Sequence, residues 1–303
     1  GGTLVYAAFS AACALAPSIG VLIGARIVQS LGAGCMMAVS TAMIKDCFEE
    51  KQRNTILAVV QAMSVIAPMV APVLGAWVVT LSGWRTTFWI LAVLGALCFL
   101  AVLALQETLP GEERFTGRII GTLGRLLEVG KNKGFTTFLL SAAMLSAPYM
   151  AYVSVCSYIY INYFSLSETT YSYYFAVNSA ASILGPICYI KVSKKINPNV
   201  MMSACVIIAL ICGGLLLGFG WMAPIAFLLC FLPFTIVESA VRPFSTAILL
   251  NQQEQDTGSA SSLINFTHTV LGSVGMFLGT LNWGSYISGL GILLIGFSVI
   301  SLG

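Results

Sequence analysis

The sequence predicts an all-α membrane protein with about ten transmembrane helices. Of its 303 residues, 58% are hydrophobic and only 8% are charged, whereas a soluble domain carries about 25% charged residues. The apolar residues form runs of about 20 residues, the length that a helix needs to cross the hydrocarbon core of a bilayer. Most basic residues fall in three of the segments between these runs, and each of the three follows an even-numbered run.

Ten apolar segments are predicted to cross the membrane. They are 1–16, 19–45, 53–81, 84–106, 135–163, 170–191, 199–220, 222–250, 257–280 and 283–303. The first is short, and the chain enters it at Gly1 without a polar leader. We therefore expect an internal fragment, truncated at its N-terminal side.

The basic residues predict the orientation of the chain. Eleven of the 14 Lys and Arg residues lie in or beside three loops, at 45–53, 114–133 and 191–195. Because loops rich in Lys and Arg stay on the cytoplasmic side, these loops and both ends of the chain are expected to be cytoplasmic. The protein is then a multi-pass protein of the plasma (inner) membrane.

The long polar segment 107–134 divides the chain into an N-terminal half of four helices, 1–106, and a C-terminal half of six, 135–303. Apolar residues repeat in the segment at helical spacing: Ile119, Ile120, Leu123, Leu126 and Leu127. This pattern predicts a cytoplasmic linker with an amphipathic helix on the membrane surface, with a plain solvated linker as the alternative.

Glu238 is the one acidic residue clearly within a predicted span, and Arg242 follows one helical turn later. Oppositely charged residues at this spacing can pair, which would offset the cost of placing each charge in lipid. A membrane carboxylate can also couple proton flow to transport when its surroundings change. Both interpretations remain open, and prolines 224, 233 and 243, which interrupt this span, indicate that it faces a cavity.

Arg26 is a charge about two turns into the second span, with Gln29 one turn further along. An arginine at this depth is by default a candidate functional residue, and snorkelling to the interface is the alternative. Gly32 and Gly34 are expected to allow close packing of this helix. In the third span, small residues at four-residue spacing, Ala67, Ala71 and Gly75, predict a packing seam, which Pro68 and Pro72 would bend.

Other polar and aromatic residues within the spans are candidates for the lining of a substrate cavity. His268 is the only histidine and could shuttle protons, although a satisfied interior histidine is the simpler interpretation. Tyr149 and Tyr152 lie deep enough to contact an aromatic or lipophilic ligand, and Asn178 is a further buried polar candidate. Tyrosines 160–174 are expected to form an interfacial aromatic belt.

Several motifs together resemble the major facilitator superfamily, and within it the drug:proton antiporters of the bicyclomycin-resistance type. Arg26, Gln29 and Gly32 match the signature of the family's fourth helix, with Ser30 in place of one glycine. Ala67-Pro68 and Gly75-Ala76 are similar to the antiporter signature of its fifth helix. Further similarities cover the borders of the sixth helix and the entry to the eleventh, at 83–88, 107–110 and 256–263.

This resemblance implies a bundle of two six-helix halves with the substrate bound between them near the midplane. Ten of twelve helices are then present. It implies a monomer that exports small lipophilic or cationic compounds in exchange for protons, with the proton gradient as energy source and no cofactor, metal or nucleic acid. Arg26, Glu238 and Arg242 would serve in coupling or gating, and residues 67, 68, 71, 72 and 75 would form the antiporter-motif helix.

Two other functions remain open at this point, and an enzyme is not expected. A proton-coupled symporter that takes up a small metabolite would share the fold. A non-transporting membrane fragment is a second possibility. A membrane enzyme would need a metal set or a nucleophile–base constellation, and one histidine with one membrane carboxylate cannot supply most of these.

Overall fold

The computed structural model describes residues 1–47, 73–104, 128–192, 197–252 and 257–302, together with residues 52, 56, 63, 67, 70 and 71. The chain divides into two compact units, 1–116 and 117–303. The described α-helices of the first unit are α1 (Gly2–Ala14), α2 (Ile19–Cys47), α3 (Val73–Ser82) and α4 (Trp84–Leu103). Those of the second are α5 (Lys133–Met144), α6 (Ser146–Ser157), α7 (Glu168–Ala181), α8 (Leu184–Val192), α9 (Pro198–Phe219), α10 (Pro224–Asn251), α11 (Thr257–Gly279) and α12 (Tyr286–Leu302).

The predicted all-helical fold is confirmed, and each of the ten predicted spans contains helical residues. In the described part of the chain, five helical stretches are long and apolar enough to cross a membrane. The fifth predicted span is built from three pieces, namely α5, α6 and a π-helix at Tyr158–Tyr163. The predicted amphipathic helix of the linker lies outside the described residues.

In the first unit, α1 packs against both α2 and α4, and two glycines make this packing close. A Cβ atom on Gly32 would lie 2.8 Å from the carbonyl oxygen of Gly2, and one on Gly95 would lie 3.1 Å from Cα of Ala7. Gly34 instead faces open space within the described residues. The expected close approach is therefore confirmed for Gly32, and for Gly34 it stays a prediction.

The second unit is organised around a stack of buried aromatic rings. Tyr152 on α6 is fully buried and stacks on Phe231 of α10, with ring centroids 4.2 Å apart. Tyr160 is also fully buried and stacks on Tyr174 at 4.9 Å. The prediction that Tyr160 belongs to an interfacial belt is therefore wrong, because the π-helix turns its ring towards the core.

Helix α11 lies unusually close to α6, because three glycines of α11 face it. Gly272, Gly275 and Gly279 approach Met150, Ala147 and Ala151, and a Cβ atom on Gly275 would overlap the carbonyl group of Ala147. Small residues permit such backbone contact between membrane helices. This contact determines which polar side chains of the two helices can meet.

Helix α10 contains two internal prolines, Pro233 and Pro243, as the sequence predicts. Pro224 does not interrupt the helix, because it occupies the first turn. That position suits proline, since the amide groups there have no partner within the helix. The expectation that all three prolines interrupt this span is therefore corrected to two.

Candidate functional site

The second unit brings together three polar side chains from three different helices. The Ser146 hydroxyl of α6 donates to Oε1 of Glu238 on α10 at 3.3 Å, and the Ser146 hydroxyl oxygen lies 2.8 Å from Nδ1 of His268 on α11. Ser146 and His268 are buried, and Glu238 is partly buried. Two separately predicted candidates, Glu238 and His268, thus belong to one hydrogen-bonded row.

The local structure of α6 explains the position of Ser146. Helix α5 ends at Met144, and the amide of Leu145 donates to the carbonyl group of Ala142, three residues earlier, before α6 begins. Ser146 is therefore the first residue of α6, directly after a break in the span. The close contact of Gly275 with Ala147 then brings α11, and with it His268, against this serine.

The predicted direct pair of Glu238 with Arg242 is not formed in the described structure. Glu238 accepts a hydrogen bond from Ser146, and Arg242 is exposed on the next turn of α10. The two charges still interact across a longer distance, and Arg242 also acts on His268. Residues four apart share a helix face, but a shared face does not by itself bring two charged groups into contact.

A second polar contact lies one turn before Glu238 on α10. Thr235 donates to Oδ1 of Asn178 on α7 at 2.9 Å, and both residues are buried. The Asn178 amide nitrogen and the Tyr152 hydroxyl have no partner within the described residues. Asn178 is thus buried as predicted, whereas Tyr152 is a core residue inside the aromatic stack.

Tyr149 lies between the aromatic stack and the polar row. It is partly buried, its ring centroid is 6.4 Å from that of Tyr152, and it lies within electrostatic range of Glu238. Of the two tyrosines predicted to line a cavity, Tyr149 therefore remains the better placed.

In the first unit, Arg26 begins a chain of polar contacts that ends inside the helix packing. Its guanidinium group donates to Oε1 of Gln29 at 2.8 Å, and the Gln29 amide donates to the Ser10 hydroxyl of α1 at 2.6 Å. Gln29 is buried, whereas Arg26 is exposed and lies over the ring of Phe88 on α4 at 5.7 Å. One guanidinium nitrogen of Arg26 is thus hydrogen-bonded to a buried side chain while the residue as a whole remains exposed.

The predicted seam of the third span has no packing partner in the part of the chain that the structure describes. Ala67 and Ala71 are exposed, and a Cβ atom on Gly75 would meet open space. Pro68 and Pro72 lie outside the described residues. The role of this seam stays a prediction.

The row Glu238–Ser146–His268 can hold and move a proton, because it joins a carboxyl group, a hydroxyl group and an imidazole through hydrogen bonds. Among the described residues, no group of three or more His, Cys, Asp or Glu side chains could hold a metal ion. Glu238 and His268 were predicted from the sequence, whereas Ser146 was not. The one local sign of Ser146 in the sequence is its position two residues before Pro148.

Relatives of this chain include a transporter and two proteins named for drug resistance. It is 29% identical over 278 residues to the uncharacterized MFS-type transporter YdgK of Bacillus subtilis, a match that covers 89% of this chain and 68% of the relative. It is 33% identical to multidrug resistance protein MdtL of Escherichia coli over 36% of this chain and 28% of the relative. It is 24% identical to a bicyclomycin resistance protein homolog of Haemophilus influenzae, over 85% and 65%.

Solved structures show the same fold. A bacterial homolog of the human lysosomal transporter Spinster, in an inward-facing and occupied conformation, superposes with a TM-score of 0.74 at 14% identity. That match covers 99% of this chain and 78% of the other. A D-xylose–proton symporter gives 0.68 at 11% identity, over 99% and 79%. The model of the Major Facilitator Superfamily matches residues 1–301, and the chain therefore belongs to this family of multi-pass membrane transporters.

Proposed function

We propose that this protein exports small lipophilic or cationic compounds in exchange for protons. The observation that carries the proposal is the placement of Glu238. Its carboxyl group is partly buried in the middle of a membrane-spanning helix, and it is hydrogen-bonded to Ser146 with Arg242 one turn away. The charge state of a carboxyl group within a membrane depends on the polarity around it, so a change in access can bind or release a proton there.

The direction and the substrate class rest on the relatives. A multidrug resistance protein and a bicyclomycin resistance protein homolog both match parts of this chain, and their names point to the export of toxic compounds. Because identity is low and the chain spans 28% and 65% of those two relatives, this support extends to a class of substrate and to no single compound.

Arg26 is the proposed gating residue of the first unit. Its guanidinium group is exposed and hydrogen-bonded to Gln29, so it can exchange a solvent-facing contact for a carboxylate without losing its anchor. Alanine at this position should lower export, whereas lysine should retain part of it because the positive charge remains. Equal export by both variants would contradict this role.

The proton gradient is the proposed energy source, and no cofactor is required. The proposed setting is the inner membrane with the basic loops in the cytoplasm, and the proposed working unit is a monomer. Labelling of single added cysteines in the 107–134 and 191–197 loops of intact cells checks this orientation. Membrane-impermeant reagents should fail to reach them.

The test of coupling uses the intact protein in everted membrane vesicles with ethidium, a small lipophilic cation, as the probe. We expect uptake into energised vesicles that collapses when a protonophore is added. Glu238→Gln keeps the size and the acceptor oxygen of the side chain but cannot ionise, so it should abolish gradient-driven uptake. Glu168→Gln, at an exposed position in the first turn of α7, is the matched control.

Two outcomes would overturn the proposal. Uptake that survives the protonophore would exclude proton coupling, and normal uptake by Glu238→Gln would exclude this carboxyl group as the proton site. Accumulation of a metabolite by intact cells, with no efflux of ethidium, would favour the alternative of an uptake symporter.

A further inference from the structure

The Ser146 hydroxyl lies between a carboxyl oxygen and an imidazole nitrogen, and in this position it can be a hydrogen-bond donor to one and an acceptor from the other. A hydroxyl group has one proton to donate and lone pairs that can accept. It can therefore donate to Glu238 while accepting from His268, or accept from Glu238 while donating to His268. The distances, 3.3 Å to Glu238 Oε1 and 2.8 Å to His268 Nδ1, allow hydrogen bonds in either arrangement.

The two arrangements differ by one proton. When Glu238 is ionised, Ser146 donates to it, and His268 carries its proton on Nδ1 and donates to Ser146. When Glu238 is protonated, the carboxyl group donates to Ser146, Ser146 donates to Nδ1, and His268 carries its proton on Nε2. Each neutral tautomer of histidine has one donor and one acceptor nitrogen, so both arrangements satisfy the hydrogen bonds that Ser146 makes to Glu238 and to Nδ1 of His268.

The other ring nitrogen of His268 is the open end of this row. Nε2 is buried and has no hydrogen-bond partner within the described residues, and the side chain as a whole is 5% exposed. An unsatisfied buried polar atom is costly, and it marks a place where a water or a hydronium ion would be stabilised. The row therefore has a proton acceptor at one end, Glu238, and an unoccupied proton-binding atom at the other.

We propose that Ser146 and His268 form a relay that delivers the coupled proton to Glu238. A proton binds at Nε2 of His268, the Nδ1 proton passes to the Ser146 oxygen, and the Ser146 proton passes to Oε1 of Glu238. One proton enters and one arrives, and serine and histidine end neutral. The inference rests on the proposed function, since it assumes that Glu238 binds the coupled proton.

The surroundings of the row are suited to this role. Arg242 on α10 acts electrostatically on both Glu238 and His268, and its positive charge favours the ionised carboxylate and the neutral imidazole. Tyr149 on α6 is a further titratable group that lies within electrostatic range of Glu238. The backbone contact of Gly275 with Ala147 keeps α11 against α6, so the short Ser146–His268 distance is maintained by helix packing.

The test separates proton delivery from substrate binding. The intact protein is reconstituted in liposomes, and two rates are measured with ethidium. The first is ethidium uptake driven by a pH gradient. The second is the exchange of internal for external ethidium at equal pH on both sides. Ser146→Ala removes the hydroxyl group, and His268→Gln keeps hydrogen-bonding groups but cannot pass a proton along. Both should lower gradient-driven uptake by about 10²-fold, in the range of a lost proton-transfer group, and should lower exchange much less.

Ser146→Thr is the matched control, because it keeps the hydroxyl group and should retain gradient-driven uptake. If Ser146→Ala does not yield folded protein, His268→Gln carries the test alone. The relay is refuted if Ser146→Ala or His268→Gln transports at the wild-type rate, if both lower exchange as much as uptake, or if Ser146→Thr behaves like Ser146→Ala. Wild-type uptake by Glu238→Gln would instead refute the proposed function, so the two failures are distinguishable.

Discussion

A single methyl group on Gly275 should weaken the contact on which the candidate site depends. In the second unit, a Cβ atom at this position would overlap the carbonyl group of Ala147 and would lie 2.6 Å from Cα of Ala147. Ordinary carbon–carbon contacts are about 3.5–4 Å long, so α6 and α11 would have to separate by about 1 Å. Because the obstructing atoms are backbone, no side-chain rotation can relieve the overlap.

This separation has a cost in stability and a cost in function. Overpacking of a well-packed interior costs about 1–3 kcal/mol, and a backbone clash belongs at the upper end. The Ser146–His268 distance of 2.8 Å would lengthen by a similar amount, beyond the range of a hydrogen bond. Gly275→Ala should therefore lower both the melting temperature and gradient-driven transport.

The assay heats the purified protein in detergent and measures the fraction that remains monodisperse. Gly296→Ala on α12 is the matched control, because its Cβ atom would meet open space. Alanine is favoured over glycine in a helix by about 1 kcal/mol, so the control should be neutral or slightly stabilised. If Gly275→Ala melts at the temperature of the control, the close approach of α6 and α11 is refuted.

The remaining predictions concern helix packing and buried polar groups. Gly32→Val should reduce folded yield, whereas Gly34→Val should not, because only Gly32 contacts α1; equal yields would contradict the packing of α1 on α2. Tyr152→Phe should keep or raise the melting temperature, since the hydroxyl group has no described partner, whereas Tyr152→Ala should cost about 3–5 kcal/mol; a destabilised phenylalanine variant would reveal a hidden partner. Gln29→Leu should cost about 1–3 kcal/mol because the buried Ser10 hydroxyl loses its donor, and an unchanged melting temperature would count against this hydrogen bond.

The sequence predicted the helices well because membrane spans follow from a local property, the hydropathy of about 20 consecutive residues. It also identified Glu238 and His268, because ionisable residues are rare in lipid and stand out from their neighbours. Asn178 was found because a polar amide also stands out in an apolar span, and the structure shows it buried as expected.

The contacts between these residues could not be predicted in the same way. Ser146 is 92 residues from Glu238 and 122 residues from His268 along the chain, and serine is too common in membrane helices to stand out. The Glu238–Arg242 pair was predicted from spacing on one helix, but spacing does not determine the direction of a long side chain. The burial of Tyr160 depends on a π-helical turn that hydropathy does not report.

The two internal prolines of α10 divide this helix into three segments that can bend relative to one another. Proline has no amide hydrogen, so the carbonyl groups of Leu229 and Ser239, each four residues before a proline, lose their donors within the helix. Bending is easiest at those two joints. Residues 234–242 lie between the two joints and include Thr235 and Glu238, which contact α7 and α6. This short segment can therefore tilt relative to the two ends of the helix while its own backbone stays helical.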